Sequence, residues 1–122
     1  MFEISRERVF SASHQLRGYK GACERLHGHN WRVRVHLRAF ELDNLGMVMD
    51  FHEIDAIMGE AISPYDHQHL NEVEPFTKIN PSSENLAKVL FARIQKQVKD
   101  PRIEVCFCDV WENDRSRARF IP

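Results

Sequence analysis

The sequence predicts an α+β domain, a four-stranded antiparallel sheet with two helices on one face. Three observations carry this. Residues 31–38 (Trp-Arg-Val-Arg-Val-His-Leu-Arg) alternate between apolar and basic or histidine side chains, the period-two pattern of a half-buried strand. Two sets of apolar residues recur at helical spacing, first Ile54, Ile57, Met58 and Ala61, then Leu86, Leu90, Ile94 and Val98. The elements then follow as strand, strand, helix, helix, strand, strand.

Residues 2–16 read as the first strand, with Phe10, Ala12, His14 and Leu16 on one face. The parity breaks between Arg6 and Val9, where a bulge is expected. Residues 17–26, with Gly18 and Gly21, form the connecting loop. Extending the second strand's parity backwards puts His27 and His29 on the face of Trp31, Val33, Val35 and Leu37, because side chains two apart on a strand point the same way. Antiparallel pairing of these strands brings His14 towards that pair. Asn44-Leu45-Gly46 is a turn. Asp50, with Glu53 three residues on, caps a helix over 52–62. Residues 63–81, with Pro64, Pro75 and Pro81, read as irregular, and loops this long are often functional. Ser82 or Ser83 opens a second helix to about 98, which Asp100-Pro101 closes. Strands at 102–112 and 116–121 flank a turn at Asn113-Asp114.

Two helices cover one face of such a sheet. The other carries Arg32, Arg34, His36 and Arg38. It is either a solvated face or the polar lumen of a barrel made by the sheets of several subunits, an arrangement that would also protect the edge strands.

The bulk numbers narrow the function classes. A chain of 122 residues is one domain, residues 1–122, large enough for a real core. A formal charge of −1 gives no reason to expect nucleic acid or an anionic membrane as partner. There is no apolar run of membrane-spanning length and no signal-peptide shape, so a cytoplasmic protein is expected. Three cysteines do not suggest a disulfide framework, and Cys106 and Cys108 read as buried thiols.

The chemistry concentrates in a few places. His14, His27 and His29 are three imidazoles brought to one end of a buried face, a set that suits Zn²⁺ and leaves a fourth coordination position open. Gly28 is expected to relieve crowding where they converge. The competing reading is a capped core histidine and a satisfied surface pair. Cys23 lies in the loop just upstream, and near a cation its thiol becomes a usable base or nucleophile; the plainer reading is a structural cysteine. Asp66-His67 is a carboxylate beside an imidazole, able to orient a proton shuttle or simply to occupy a turn. His69 is a second candidate ligand, ranked after His14. Glu112, at the end of an apolar strand, is an acceptor that suits a ligand edge with paired N–H donors, or else a surface carboxylate.

These stretches together resemble the 6-pyruvoyl-tetrahydropterin synthase family, and within it the branch of bacterial 6-carboxy-5,6,7,8-tetrahydropterin synthases. The segments are Phe10-Ser11-Ala12-Ser13-His14, Cys23-Glu24-Arg25-Leu26-His27-Gly28-His29, Met47-Val48-Met49-Asp50-Phe51, Asp66-His67 with Leu70-Asn71, Asn80-Pro81-Ser82-Ser83-Glu84-Asn85, and Val110-Trp111-Glu112. Ser82 stands where threonine is common. Six segments in this order cover essentially the whole chain. The resemblance implies the tunnelling fold, with two trimers stacked into a hexamer. It implies zinc on His14, His27 and His29, Cys23 as general base, and Asp66 and His67 as proton relay, supplied by the same or a neighbouring subunit. Glu112 would hold the pterin, with Ser83 and Glu84 nearby. The implied reaction converts 7,8-dihydroneopterin triphosphate to 6-carboxytetrahydropterin, acetaldehyde and triphosphate, within queuosine (7-deazaguanine) biosynthesis. Arg17, Lys20 and Arg25 are loop candidates for the triphosphate. The Cys-x3-His spacing resembles the carboxy branch, since pyruvoyl synthases usually have a longer gap. Pyruvoyl formation on the same fold and a non-catalytic zinc-stabilised assembly module are the alternatives.

Overall fold

The second strand, β2 (His27–Ala39), is the one the alternation predicts. Trp31, Val33, Val35 and Leu37 are fully buried on one face, and the residues between them are half-buried on the other. The computed structural model describes residues 1–18, 21 and 25–122. Around β2 lie β1 (Phe2–His14), β3 (Gln68–His69), β4 (Glu104–Asn113) and β5 (Ser116–Phe120), in the sheet order β3-β1-β2-β4-β5. Helix α1 (Phe51–Ile62) rests on β1, and α2 (Ser83–Gln97) rests on β4 and β5. The α+β class therefore holds. The sheet gains a fifth strand, β3, in the stretch read as irregular, and it pairs parallel to β1 at Ala12 and Ser13.

Both helix starts are capped as the sequence suggests. The Asp50 carboxylate accepts from His52 N at 2.7 Å, and Ser82 Oγ accepts from Asn85 N at 3.2 Å. Such caps satisfy amides that the first helical turn leaves unpaired. Ile54, Ile57, Met58, Ala61 and Ile62 of α1 and Leu86, Ala87, Leu90, Phe91 and Ile94 of α2 are buried against the sheet in one core.

The expected bulge in β1 is absent. Its register with β2 runs unbroken from Phe2 opposite Ala39 to His14 opposite His27. The parity looked broken because Arg6 and Arg8 take positions facing the helices, where both reach Asp55 of α1, at 3.1 and 2.9 Å. A charge on that face is tolerated because its partner is supplied from above. The sheet irregularities fall on β4 instead. One lies beside Cys106, which is half-buried rather than buried, and the other beside Glu112. Cys108 is buried as expected, and burial pushes its thiol up to about 12.

Strand β1 ends at His14, not at residue 16, yet the chain beyond it still pairs. The Asn71 carboxamide accepts from Gln15 N at 3.0 Å and donates to Gln15 O at 2.8 Å. Asn80 does the same for the Arg17 backbone, at 2.9 and 3.0 Å. A carboxamide presents an N–H donor beside a carbonyl acceptor, as a peptide unit does, so each side chain replaces one residue of a partner strand. The Arg17 guanidinium donates to the carbonyls of Asn71, Phe76 and Ile79, which ties it to the 71–80 loop rather than leaving it for a ligand. Replacing Asn71 with Ala leaves both Gln15 groups without this partner and is expected to cost about 2 kcal/mol, measured as a lower urea midpoint with an unchanged m-value.

On the face away from the helices, Glu7 pairs with Arg34 and Arg38 with Glu104. Arg119 grips the fully buried Asp109 through two bonds of 2.7 and 3.0 Å. Arg32 stacks 4.1 Å above the Trp111 ring. No helix among the described residues is long and apolar enough to cross a membrane.

Candidate metal centre and catalytic cleft

The β1–β2 register does most to build the centre. His14 closes β1, His27 opens β2 directly opposite, and His29 follows two residues on along the same face. The His14 Nδ1–H donates to Pro81 O at 2.7 Å, and the His27 Nδ1–H donates to Arg25 O at 2.7 Å. A carbonyl can only accept, so each neutral ring carries its proton on Nδ1 and a lone pair on Nε2. Those two Nε2 atoms stand 2.9 Å apart. Facing lone pairs at that distance repel unless a cation or a proton lies between them. One ligand atom from each of the three histidines lies within 4.8 Å of the others. His29 Nε2 is buried with no hydrogen-bond partner, an arrangement that costs about 1–3 kcal/mol unless something binds there. This donor set fits a divalent metal of the zinc class, with the Pro81 and Arg25 carbonyls orienting two of the rings.

Trp31 floors the cluster. Its ring meets His14 and His29 edge-on at 4.9 and 5.0 Å, and its indole N–H donates to Ala12 O at 3.2 Å. Burial holds both imidazoles below the ordinary histidine range, opposed at His14 by the Pro81 carbonyl and at His29 by the Glu112 carboxylate. Both rings are therefore kept neutral, the ligating form. Gly28 does not relieve crowding. A Cβ there would meet its nearest neighbour, Ala12 O, at an ordinary 3.7 Å, and the residue instead borders an open cleft.

Glu112 sits where the β4–β5 register shifts, and its Oε2 lies 3.8 Å from His29 Nε2. A bulge re-aims a strand side chain, and here the carboxylate comes to the edge of the histidine cluster. Asp66 and His67 lie across β1. The His67 Nδ1 is 2.9 Å from Asp66 Oδ1, which also accepts from Ser11 N at 3.1 Å. The His67 backbone N–H donates to Ser11 O at 2.7 Å. His67 takes a left-handed conformation, φ +59°, uncommon for a side-chain-bearing residue and frequent at functional sites. A cleft of about 480 Å³ is bordered by Ser11, Ser13, His29, Asn30, His67 and His69. His29 and the Asp-paired His67 thus both border this cleft.

The remaining candidates divide. Cys23 and Lys20 lie outside the described residues. Ser83 and Glu84 open α2 two and three residues after Pro81, whose carbonyl orients His14. His69 is not in the metal set. Its Nδ1 lies 3.0 Å from Ser13 Oγ. Sequence reasoning missed Trp31 as the floor, and Ser11 and Ser13 as clamps. The signal for the two serines was present in their position beside His14, but nothing in the spacing says what a strand's outer edge will meet.

With folded values below 6.5, His14 and His29 take up protons more readily in the unfolded chain. The metal-free protein therefore gains stability as pH rises towards 6.5, and this contribution is flat above it. Melting in a chelator between about pH 5.5 and 7.5 tests this, the slope being shallower in His14→Gln.

Comparison with known proteins gives a consistent family. A family model described as 6-pyruvoyl tetrahydropterin synthase matches residues 3–121. The 6-carboxy-5,6,7,8-tetrahydropterin synthase of Synechocystis is 36% identical over 101 residues, 79% of this chain and 77% of that one. The 6-pyruvoyl tetrahydrobiopterin synthase of Dictyostelium discoideum is 29% identical, covering 90% of each. The structure of the Caenorhabditis elegans 6-pyruvoyl tetrahydropterin synthase superposes with a TM-score of 0.85 at 28% identity, over 100% of this chain and 97% of that one.

Proposed function

Because this chain belongs to the 6-pyruvoyl tetrahydropterin synthase family, we propose that it is a zinc-dependent lyase converting 7,8-dihydroneopterin triphosphate to 6-carboxy-5,6,7,8-tetrahydropterin, with release of acetaldehyde and triphosphate, in 7-deazaguanine (queuosine) biosynthesis. The observation that carries this is the convergence of His14, His27 and His29 with Glu112 3.8 Å from the cluster. The relatives named for the carboxy product and the Cys-x3-His spacing favour that product. The Dictyostelium and Caenorhabditis relatives, named for the pyruvoyl product, support the second reading, triphosphate elimination to a 6-pyruvoyl pterin.

His14, His27 and His29 hold the Zn²⁺, which when bound supplies Lewis-acid polarisation of a substrate oxygen. Glu112 accepts the paired N–H donors of the pterin edge and fixes the ring beside the histidines, with Ser83 and Glu84 lining the approach. Cys23 takes a proton from the side chain of the substrate as general base. Asp66 holds the His67 ring, so that His67 moves protons during elimination and cleavage. The outer edge of β5 has no strand partner among the described residues, and joining such edges into trimers, two of them stacked as a hexamer, would cover it. The setting proposed is cytoplasmic.

Incubating the zinc-loaded protein with dihydroneopterin triphosphate and analysing products by mass spectrometry decides between the readings. Acetaldehyde with the carboxy pterin supports the first, a pyruvoyl pterin supports the second, and no turnover by intact zinc protein defeats both. Cys23→Ala is expected to keep its zinc and lose at least about 100-fold in kcat. Loss of zinc with the thiol would make Cys23 a ligand. Glu112→Gln is expected to raise KM with metal content unchanged.

A further inference from the structure

His69 and Ser13 have no part in the metal set or the relay described above. Their contact lies on the short strand β3, which is only Gln68 and His69, paired to β1 at Ala12 and Ser13. Directly before it stands His67 in its left-handed conformation. A side-chain-bearing residue is held there only when the structure on both sides over-determines it. On one side the Asp66 carboxylate accepts from Ser11 N at 3.1 Å, and the Asp66 N–H donates to Ile62 O at 3.2 Å. On the other side, beyond two ladder pairs, the side-chain tie nearest to His67 is Ser13 Oγ to His69 Nδ1 at 3.0 Å, ahead of the Asn71 carboxamide on Gln15. His69 also stands at the N-cap position of the 3₁₀ turn Leu70–Glu72, yet it makes no side-chain capping bond there. Its imidazole is directed to Ser13 instead. Either tautomer makes the contact, because the serine hydroxyl both donates and accepts.

We propose that Ser13 and His69 form a positioning pair that clamps β3 to β1 and thereby presents the Asp66–His67 couple to the cleft. This rests on the reading of His67 as the proton relay. Breaking the clamp removes the side-chain tie nearest to a strained residue and loosens that flank. The segment can then relax towards ordinary backbone geometry, and the His67 ring leaves its carboxylate. The metal ligands lie on β1 and β2, and Glu112 lies on β4, so metal loading and substrate binding are left largely intact. The effect belongs in kcat rather than KM.

The test uses the zinc-loaded protein and five variants. His69→Ala and Ser13→Ala are each expected to lower kcat about tenfold, with KM within about twofold and zinc content unchanged. His69→Asn places an amide where Nδ1 stood and is expected to recover most of the loss. The double variant is expected to be no slower than either single one, since both remove the same contact. His67→Ala is the reference and is expected to lose far more. Wild-type kcat in His69→Ala, additive losses in the double variant, or no rescue by His69→Asn would overturn the clamp. Zinc loss in Ser13→Ala would do so too. If His69→Ala does not fold, Ser13→Ala against His69→Asn carries the comparison. Full activity in His67→Ala would instead remove the relay reading on which the clamp rests.

Discussion

The register between β1 and β2 is the constraint on which the rest depends. It sets His14 opposite His27 and turns both rings, with His29, to the face that α1 and α2 cover. Slipping it by one residue would turn every side chain of one strand to the other face and scatter the three nitrogens. The register is held by what is buried beside it. Trp31, Val33, Val35 and Leu37 lose all solvent contact only in this alignment, and each such side chain contributes about 1.5–3 kcal/mol. The core therefore stabilises a centre that is itself unfavourable without a cation or a shared proton, with two lone pairs facing and one buried nitrogen unpartnered.

The two sides of β1 have different tasks. Its inner side carries Phe10, Ala12 and His14 into the core and the histidine cluster. Its outer edge receives the loop after α1 through Ser11, Ser13 and the Asn71 and Asn80 carboxamides. That loop has little regular structure, yet its backbone is anchored at short intervals by side chains. An irregular segment can therefore present Asp66 and His67 in a defined place, including the left-handed turn at His67. The open face of the sheet is a lattice of ion pairs and cation–aromatic stacks in which Asp109 is wholly buried. Simple solvated alternation does not describe it.

Much of this was legible in the residues. The alternation at 31–38 and the apolar spacings of the helices placed β2, α1 and α2 to within a residue or two, because periodicity reports directly which face is buried. The same parity, carried back to His27 and forward to His14, named the histidine cluster. Arg6 and Arg8 were misread because a charge facing inward looks like a bulge until Asp55 is seen above it. Strand β3 was missed because two residues carry no period, and His69 was grouped with possible ligands because sequence does not say which neighbour an imidazole will find.

What the sequence determined by itself was the set of local patterns: which faces are apolar, where helices begin, and which chemical groups lie in each segment. These follow from side-chain periodicity and capping, which act over a few residues. Only the tertiary structure decided the pairings between distant segments. It turned two Nε2 lone pairs on one another by giving each Nδ1–H a carbonyl, brought Glu112 to His29 at a register shift, and set His67 beside Asp66 on the edge of β1. The His14–His27, His14–Pro81 and His29–Glu112 contacts join residues 13, 67 and 83 positions apart, and no local preference encodes them.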